Sequence, residues 1–120
     1  MPLRSLSTSV LKWPDPSSVE KALRSWVANN VSSHPGLLLL GYFGSYARGD
    51  WGVGSDLDLV AVVQDSTVPF EKRGLGWDFS RLPVPVDLLV YTREEWLSMQ
   101  ESEGPFIRML NREVIWVYPN

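Results

Sequence analysis

Residues 42–63 read YFGSYARGDWGVGSDLDLVAVV, and this stretch decides the fold. An apolar run ends in Gly44-Ser45, and a loop with three further glycines, Gly49, Gly52 and Gly54, follows. Asp56 and Asp58 then stand one residue apart at the head of a second apolar run. Alternate side chains of a strand share a face, so the two carboxylates are expected to point the same way, roughly 6.6 Å apart. Carboxylates that close repel each other and are costly to desolvate. A divalent cation would offset both costs, since Mg²⁺ takes oxygen ligands and is held by one or two carboxylates plus substrate phosphates. Asp-Leu-Asp after Gly-Ser also suits a turn whose acids cap backbone amides.

Working outward, LLLLGYF (37–43) is a short apolar run between breakers, hence a buried strand, and DLDLVAVV (56–63) is a second. VPVDLLVY (84–91) reads as a third strand and EVIWVY (113–118) as a fourth. SSVEKALRSWVANNVSS (17–33) reads as a helix. Val19, Ala22, Leu23, Trp26 and Val27 form its apolar face, and Ser17 and Glu20 have capping-box spacing. Thr92 and Glu95 repeat that spacing at the head of a helix over 92–103, and PFIRMLNR (105–112) is a further helical piece. Within 69–82 a short helix interrupted near Gly74 and Gly76 is expected. Residues 1–16 form a polar leader with Pro2, Pro14 and Pro16 and one short edge strand over Ser9–Trp13. Strands alternating with helices predict a single α/β (α+β) domain over 1–120, its core at about 17–118, with a small mixed β-sheet flanked by helices.

Composition narrows the chemistry. The chain has no cysteine and one histidine, His34. Disulfides, thiol nucleophiles and Cys-based zinc sites are excluded, and a Ser-His triad is disfavoured. Carboxylates and a hard metal ion remain. The net charge of −3, from 14 acidic and 11 basic residues, does not suit direct binding of a nucleic-acid backbone. No apolar run approaches the length needed to span a membrane, and the first residues carry no long apolar segment of a secretory signal. A cytoplasmic protein is expected.

A third acid, Asp87, interrupts the 84–91 strand. Residues 65–83 are long enough for a crossover, so strands 56–63 and 84–91 can run parallel as neighbours about 4.8 Å apart. Asp56, Asp58 and Asp87 can then converge on one patch and hold two metal ions roughly 3.5–4 Å apart. Taken alone, Asp87 also suits an edge-strand charge that discourages aggregation. Gly44 permits close backbone approach to a ligand, and Ser45 can open a short helix whose amides and hydroxyl meet an anion. The order is strand, Gly-Ser, ten residues, D-x-D, strand, then an isolated Asp in a later strand. A phosphate cradle beside metal-binding carboxylates is what a nucleoside triphosphate needs.

GSYARGDWGVGSDLDL (44–59) resembles the signature of the DNA polymerase β-like nucleotidyltransferase superfamily, and most of all its minimal nucleotidyltransferase (MNT) family. Members of that family are often the antitoxin halves of HEPN/MNT toxin–antitoxin pairs. The resemblance implies that Gly44 and Ser45 contact nucleotide phosphate, and that Asp56 and Asp58 bind metal. Asp87 would be the third acid, helping to place or deprotonate the attacking hydroxyl. It implies ATP as donor, Mg²⁺ (or Mn²⁺) as cofactor, and a cognate HEPN-type toxin as protein acceptor, with a homo-oligomer or a hetero-complex as the assembly. The expected activity is transfer of AMP to a protein hydroxyl. The alternative is a non-catalytic antitoxin that neutralises its partner by contact. Arg48 falls in the A-R-G turn, where it is expected to hold the loop through an acidic neighbour, the alternative being contact with phosphate.

The remaining conspicuous residues have quieter readings. Trp26 and Trp116 fall in regular apolar patterns and are expected in the core. Trp51 and Trp77 are candidates for stacking a base or docking a partner. His34 is expected at a solvated helix end, and Lys72 and Arg73 as a surface charge pair.

Overall fold

The structure, a computed structural model, describes residues 13–120. The strand expected over Ser9–Trp13 lies outside the described residues except for Trp13, which is not in a strand. Helix α1 spans Pro16–Asn30 and continues into a 3₁₀ turn, Val31–Ser33. Strand β1 (Leu37–Phe43), the one-turn helix α2 (Ser45–Arg48) and strand β2 (Leu57–Val63) follow. A 3₁₀ segment, Phe70–Gly76, leads to β3 (Val86–Thr92). Helices α3 (Arg93–Ser102) and α4 (Pro105–Glu113) and strand β4 (Ile115–Tyr118) complete the order.

The four strands form one mixed sheet in the order β3-β2-β1-β4. β1 runs antiparallel to β2 and β4, and β2 and β3 run parallel, as the crossover length allows. Both faces are covered, which is why the strands read as near-continuous apolar runs rather than as alternating ones. Alternation along β2 still sorts the layers. Leu57, Leu59 and Ala61 face Val19, Leu23, Trp26 and Val27 of α1. Val60 and Val62 face Trp96 of α3 and Ile107 and Leu110 of α4. Leu23, Leu40, Leu59 and Leu110 have no solvent exposure, and truncating any one to Ala would cost roughly 2–5 kcal/mol. Gly41 sits where β4 crosses β1: a Cβ there would lie 2.8 Å from the Ile115 carbonyl oxygen, so the sheet closes only over glycine.

Several local expectations need correction. The cap of α1 is Asp15, whose carboxylate accepts from the Ser18 amide at 2.8 Å, with Pro16 in the first turn, so Ser17 is not the cap. The fixed φ of proline suits that first position, which draws the helix start upstream. The Thr92–Glu95 capping box forms as expected. His34 is half-buried against Trp77, ring centroids 4.2 Å apart, and burial lowers its pKa. Trp26 is buried and donates to the Asp78 carbonyl at 2.7 Å, while Trp116 is only partly buried, edge-on to Trp96. Arg73 is not a surface charge. Its side chain is 9% exposed and pairs with Glu95, and it also donates to the Val90 carbonyl on the outer edge of β3. That contact holds the 65–85 crossover against the sheet and draws the Glu95 pKa down. Among the described residues, no helix is long and apolar enough to cross a membrane.

Candidate active site

The site lies at one end of the β1–β2–β3 ribbon, on the face covered further along by α3 and α4. Asp58 of β2 is directly opposite Asp87 of β3 and Phe43 of β1. Residues in register on neighbouring strands share a face, so the Asp58 and Asp87 carboxylates stand side by side. Asp56 is exposed and precedes the first residue of β2, contrary to the expectation that it begins the strand. Gly52 donates its amide to the Ser55 hydroxyl at 2.8 Å, and Gly54 takes φ 89°. This tight turn delays the strand until Leu57. Asp56 remains close enough to act on Asp58 through its charge.

Gly44 follows β1 with φ 77° and ψ −154°, a conformation that only glycine adopts readily. The space a Cβ would fill is taken by Asp58 Oδ2, with Asp58 Cγ 3.1 Å from that point. The Gly-Ser turn and the first strand acid are therefore in contact. Ser45 opens α2 and is half-buried. The Gly44 carbonyl accepts from Ala47 at 3.0 Å and Arg48 at 2.9 Å, which leaves the amides of Ser45 and Tyr46 as the turn's remaining donors.

Electrostatics agree with the geometry. Burial raises the Asp58 pKa from its ordinary value, and the charges of Asp87 and Asp56 raise it further; Arg48 opposes them and Glu113 adds to them. Asp58 is thus an acid whose ionisation the fold itself does not compensate. Among the described residues, no three acids or histidines converge into a ready-made metal cage. Facing carboxylates with a third acid nearby still fit Mg²⁺, which keeps several waters and takes phosphate oxygens for the rest of its shell.

Arg48 ties the loop down as expected, through partners the sequence did not identify. Its Nε donates to Asp50 at 3.2 Å and its Nη1 to Glu113 at 3.1 Å. Glu113 also accepts the Gly44 amide at 2.7 Å. Glu113 was not singled out in the sequence, because this contact spans 69 residues and only the β1–β4 pairing brings its ends together. Trp51 stacks on Tyr46 at 5.7 Å, and the Tyr46 hydroxyl donates to the Pro14 carbonyl at 2.8 Å. Trp77 stacks on Trp26 and His34, away from the acids.

A mixed sheet with a glycine-serine turn on one strand and facing acids on the next two has the architecture of a nucleotidyltransferase-type α/β domain. Residues 24–111 match the family described as "Nucleotidyltransferase domain", and the chain belongs to that family. A Sulfolobus solfataricus structure described as a candidate nucleotidyltransferase shares the fold, with TM-score 0.57 and 23% identity over 84% of this chain and 80% of that one. A toxin–antitoxin structure with AMP-PNP is similar at TM-score 0.49 and 18% identity, covering 84% of this chain and 73% of the other. A mutant of the toxin–antitoxin MntA-HpeT is similar at TM-score 0.47 and 14% identity, covering 81% and 73%. No curated protein matches the chain.

Proposed function

We propose that this protein is a Mg²⁺-dependent nucleotidyltransferase that moves AMP from ATP onto a protein hydroxyl, with a HEPN-type toxin as acceptor, and so acts as an antitoxin. The observation that carries the catalytic part is the in-register pair Asp58 and Asp87 beside Gly44, with Asp58 held above its ordinary pKa. The choice of partner rests on the likeness of residues 44–59 to antitoxin-type MNT proteins.

In this reading Asp56, Asp58 and Asp87 hold the cation. The Ser45 hydroxyl and the free amides of its turn hold the triphosphate. When bound, the cation neutralises phosphate charge and stabilises the leaving pyrophosphate. Asp87 lies on the outer strand of the ribbon and is exposed, where a hydroxyl from a second molecule can reach it. It orients that hydroxyl and accepts its proton. The acceptor oxygen bonds to the α-phosphorus as the bond to the pyrophosphate oxygen breaks.

The test is incubation of the protein with ATP, Mg²⁺ and an excess of the partner, read by intact mass. Catalysis adds ~329 Da per AMP to the acceptor, as transfer with loss of pyrophosphate requires. The modification persists after separation, and Asp56→Ala abolishes it. Stoichiometric, reversible inhibition without added mass would refute the reading and leave a contact antitoxin.

A further inference from the structure

We infer that Glu113 is a positioning residue that fixes the glycine-serine turn and, through it, Asp58. The inference rests on the reading above that this turn meets the triphosphate. Gly44 is buried, and its amide falls between the end of β1 and the start of α2, where neither ladder supplies an acceptor. A buried amide without an acceptor is costly. Glu113 Oε1 accepts it at 2.7 Å, and the same oxygen accepts Arg48 Nη1 at 3.1 Å. One carboxylate, its side chain 11% exposed, thus grips both ends of α2: the residue that caps it and its last residue.

This grip reaches the acids. Gly44 at φ 77° leaves the space that Asp58 Oδ2 occupies, so a rotation of the Gly44 peptide moves the turn against Asp58. Glu113 is the last residue of α4, one residue short of β4, which pairs with β1. The C-terminal helix–strand junction therefore sets the geometry of a turn far from it in sequence. Two jobs fall to one side chain. Accepting the amide requires only an oxygen, whereas holding Arg48 also uses the charge. A glutamine should keep the first and weaken the second.

The experiment compares the full-length wild type with Glu113→Ala, Glu113→Gln and Arg48→Ala. Amide exchange at Gly44 is followed by NMR, and affinity for MgATP by calorimetry. In Glu113→Ala, Gly44 should exchange about tenfold or more faster, as loss of a charge-assisted hydrogen bond implies, while central β2 amides such as that of Val60 keep their protection. MgATP binding should weaken by about 10- to 100-fold, the scale on which misplaced binding groups act. Glu113→Gln should restore slow exchange and bring affinity to within about five-fold of wild type, because only a partly exposed ion pair is lost. Arg48→Ala should leave Gly44 protected. Unchanged Gly44 exchange in Glu113→Ala, or a glutamine variant as defective as the alanine one, would overturn the inference. A wild type that does not bind MgATP would sink the nucleotide reading, and Gly44 exchange would still decide the anchoring role of Glu113.

Discussion

Asp58→Asn should stabilise the apoprotein at neutral pH. Neighbouring strands lie about 4.8 Å apart, and Asp58 and Asp87 are in register. Two unit charges at that distance repel by about 0.9 kcal/mol at the dielectric of water and about 3.5 kcal/mol at an effective dielectric of 20. Asp87 is exposed, which places the cost near the lower figure, about 1 kcal/mol. Asn keeps the shape of Asp and still fits against Gly44, so little else should change. For a chain of this size the gain corresponds to a Tm rise of about 4 °C.

The pH dependence follows from the direction of the shift. Asp58 holds its proton above the ordinary value of 3.8, so as pH rises the unfolded chain releases that proton first. Stability is therefore withdrawn from about 3.8 upward until pH passes the raised folded value, and the penalty is constant beyond it. Thermal melts of wild type and Asp58→Asn should coincide near pH 3 and separate by neutrality, with the variant higher. Added Mg²⁺ should raise the wild-type Tm and move the variant less. A variant less stable than wild type at pH 7 would refute the reasoning, since it would mean that the Asp58 carboxylate accepts stabilising bonds as a structural cap.

Two further outcomes are expected. Ser45→Ala should slow transfer by about 10- to 150-fold through loss of one charge-assisted hydrogen bond, with an unchanged melt; equal kinetics at limiting ATP would remove Ser45 from the site. Arg73→Ala should destabilise the fold by about 1–3 kcal/mol, because its side chain is nearly buried and bonds both Glu95 and the β3 edge, while MgATP affinity stays at the wild-type level. Arg73 is the first cause of the lowered Glu95 pKa. The stability difference between wild type and Arg73→Ala should therefore be full above the ordinary Glu value of 4.5 and shrink as pH falls through the depressed one, as urea melts across that range would show.

The sheet was legible because its signals are local. LLLLGYF, DLDLVAVV and VPVDLLVY are bounded by breakers, and the 65–83 segment is long enough to allow the crossover that parallel β2 and β3 require. What failed was chemistry that local spacing describes ambiguously. Ser17 and Glu20 have the spacing of a capping box, but Asp15 followed by Pro16 caps two residues earlier. His34 and Arg73 look like surface residues in sequence. They become half-buried or buried only because the crossover carries Trp77 and the 3₁₀ segment back over the sheet edge.

The site divides along the same line. That Asp58 and Asp87 face each other follows from register once two parallel strands are placed, so the spacing of acids within short apolar runs was enough to find them. Asp56 shows the limit of that reasoning. Ladder pairing begins only at Leu57, one residue after Asp56, so the register that places Asp58 opposite Asp87 does not extend to Asp56. What the structure shows between Asp56 and Asp58 is the effect of charge. Glu113 was beyond reach for a different reason: nothing local distinguishes a glutamate at a helix end, and its role exists only where β4 returns beside β1. The acids that bear the proposed chemistry burden the fold and so stand out against their apolar surroundings. The residue that steadies them is compensated by Arg48 and the Gly44 amide, and a compensated charge leaves no mark in a sequence.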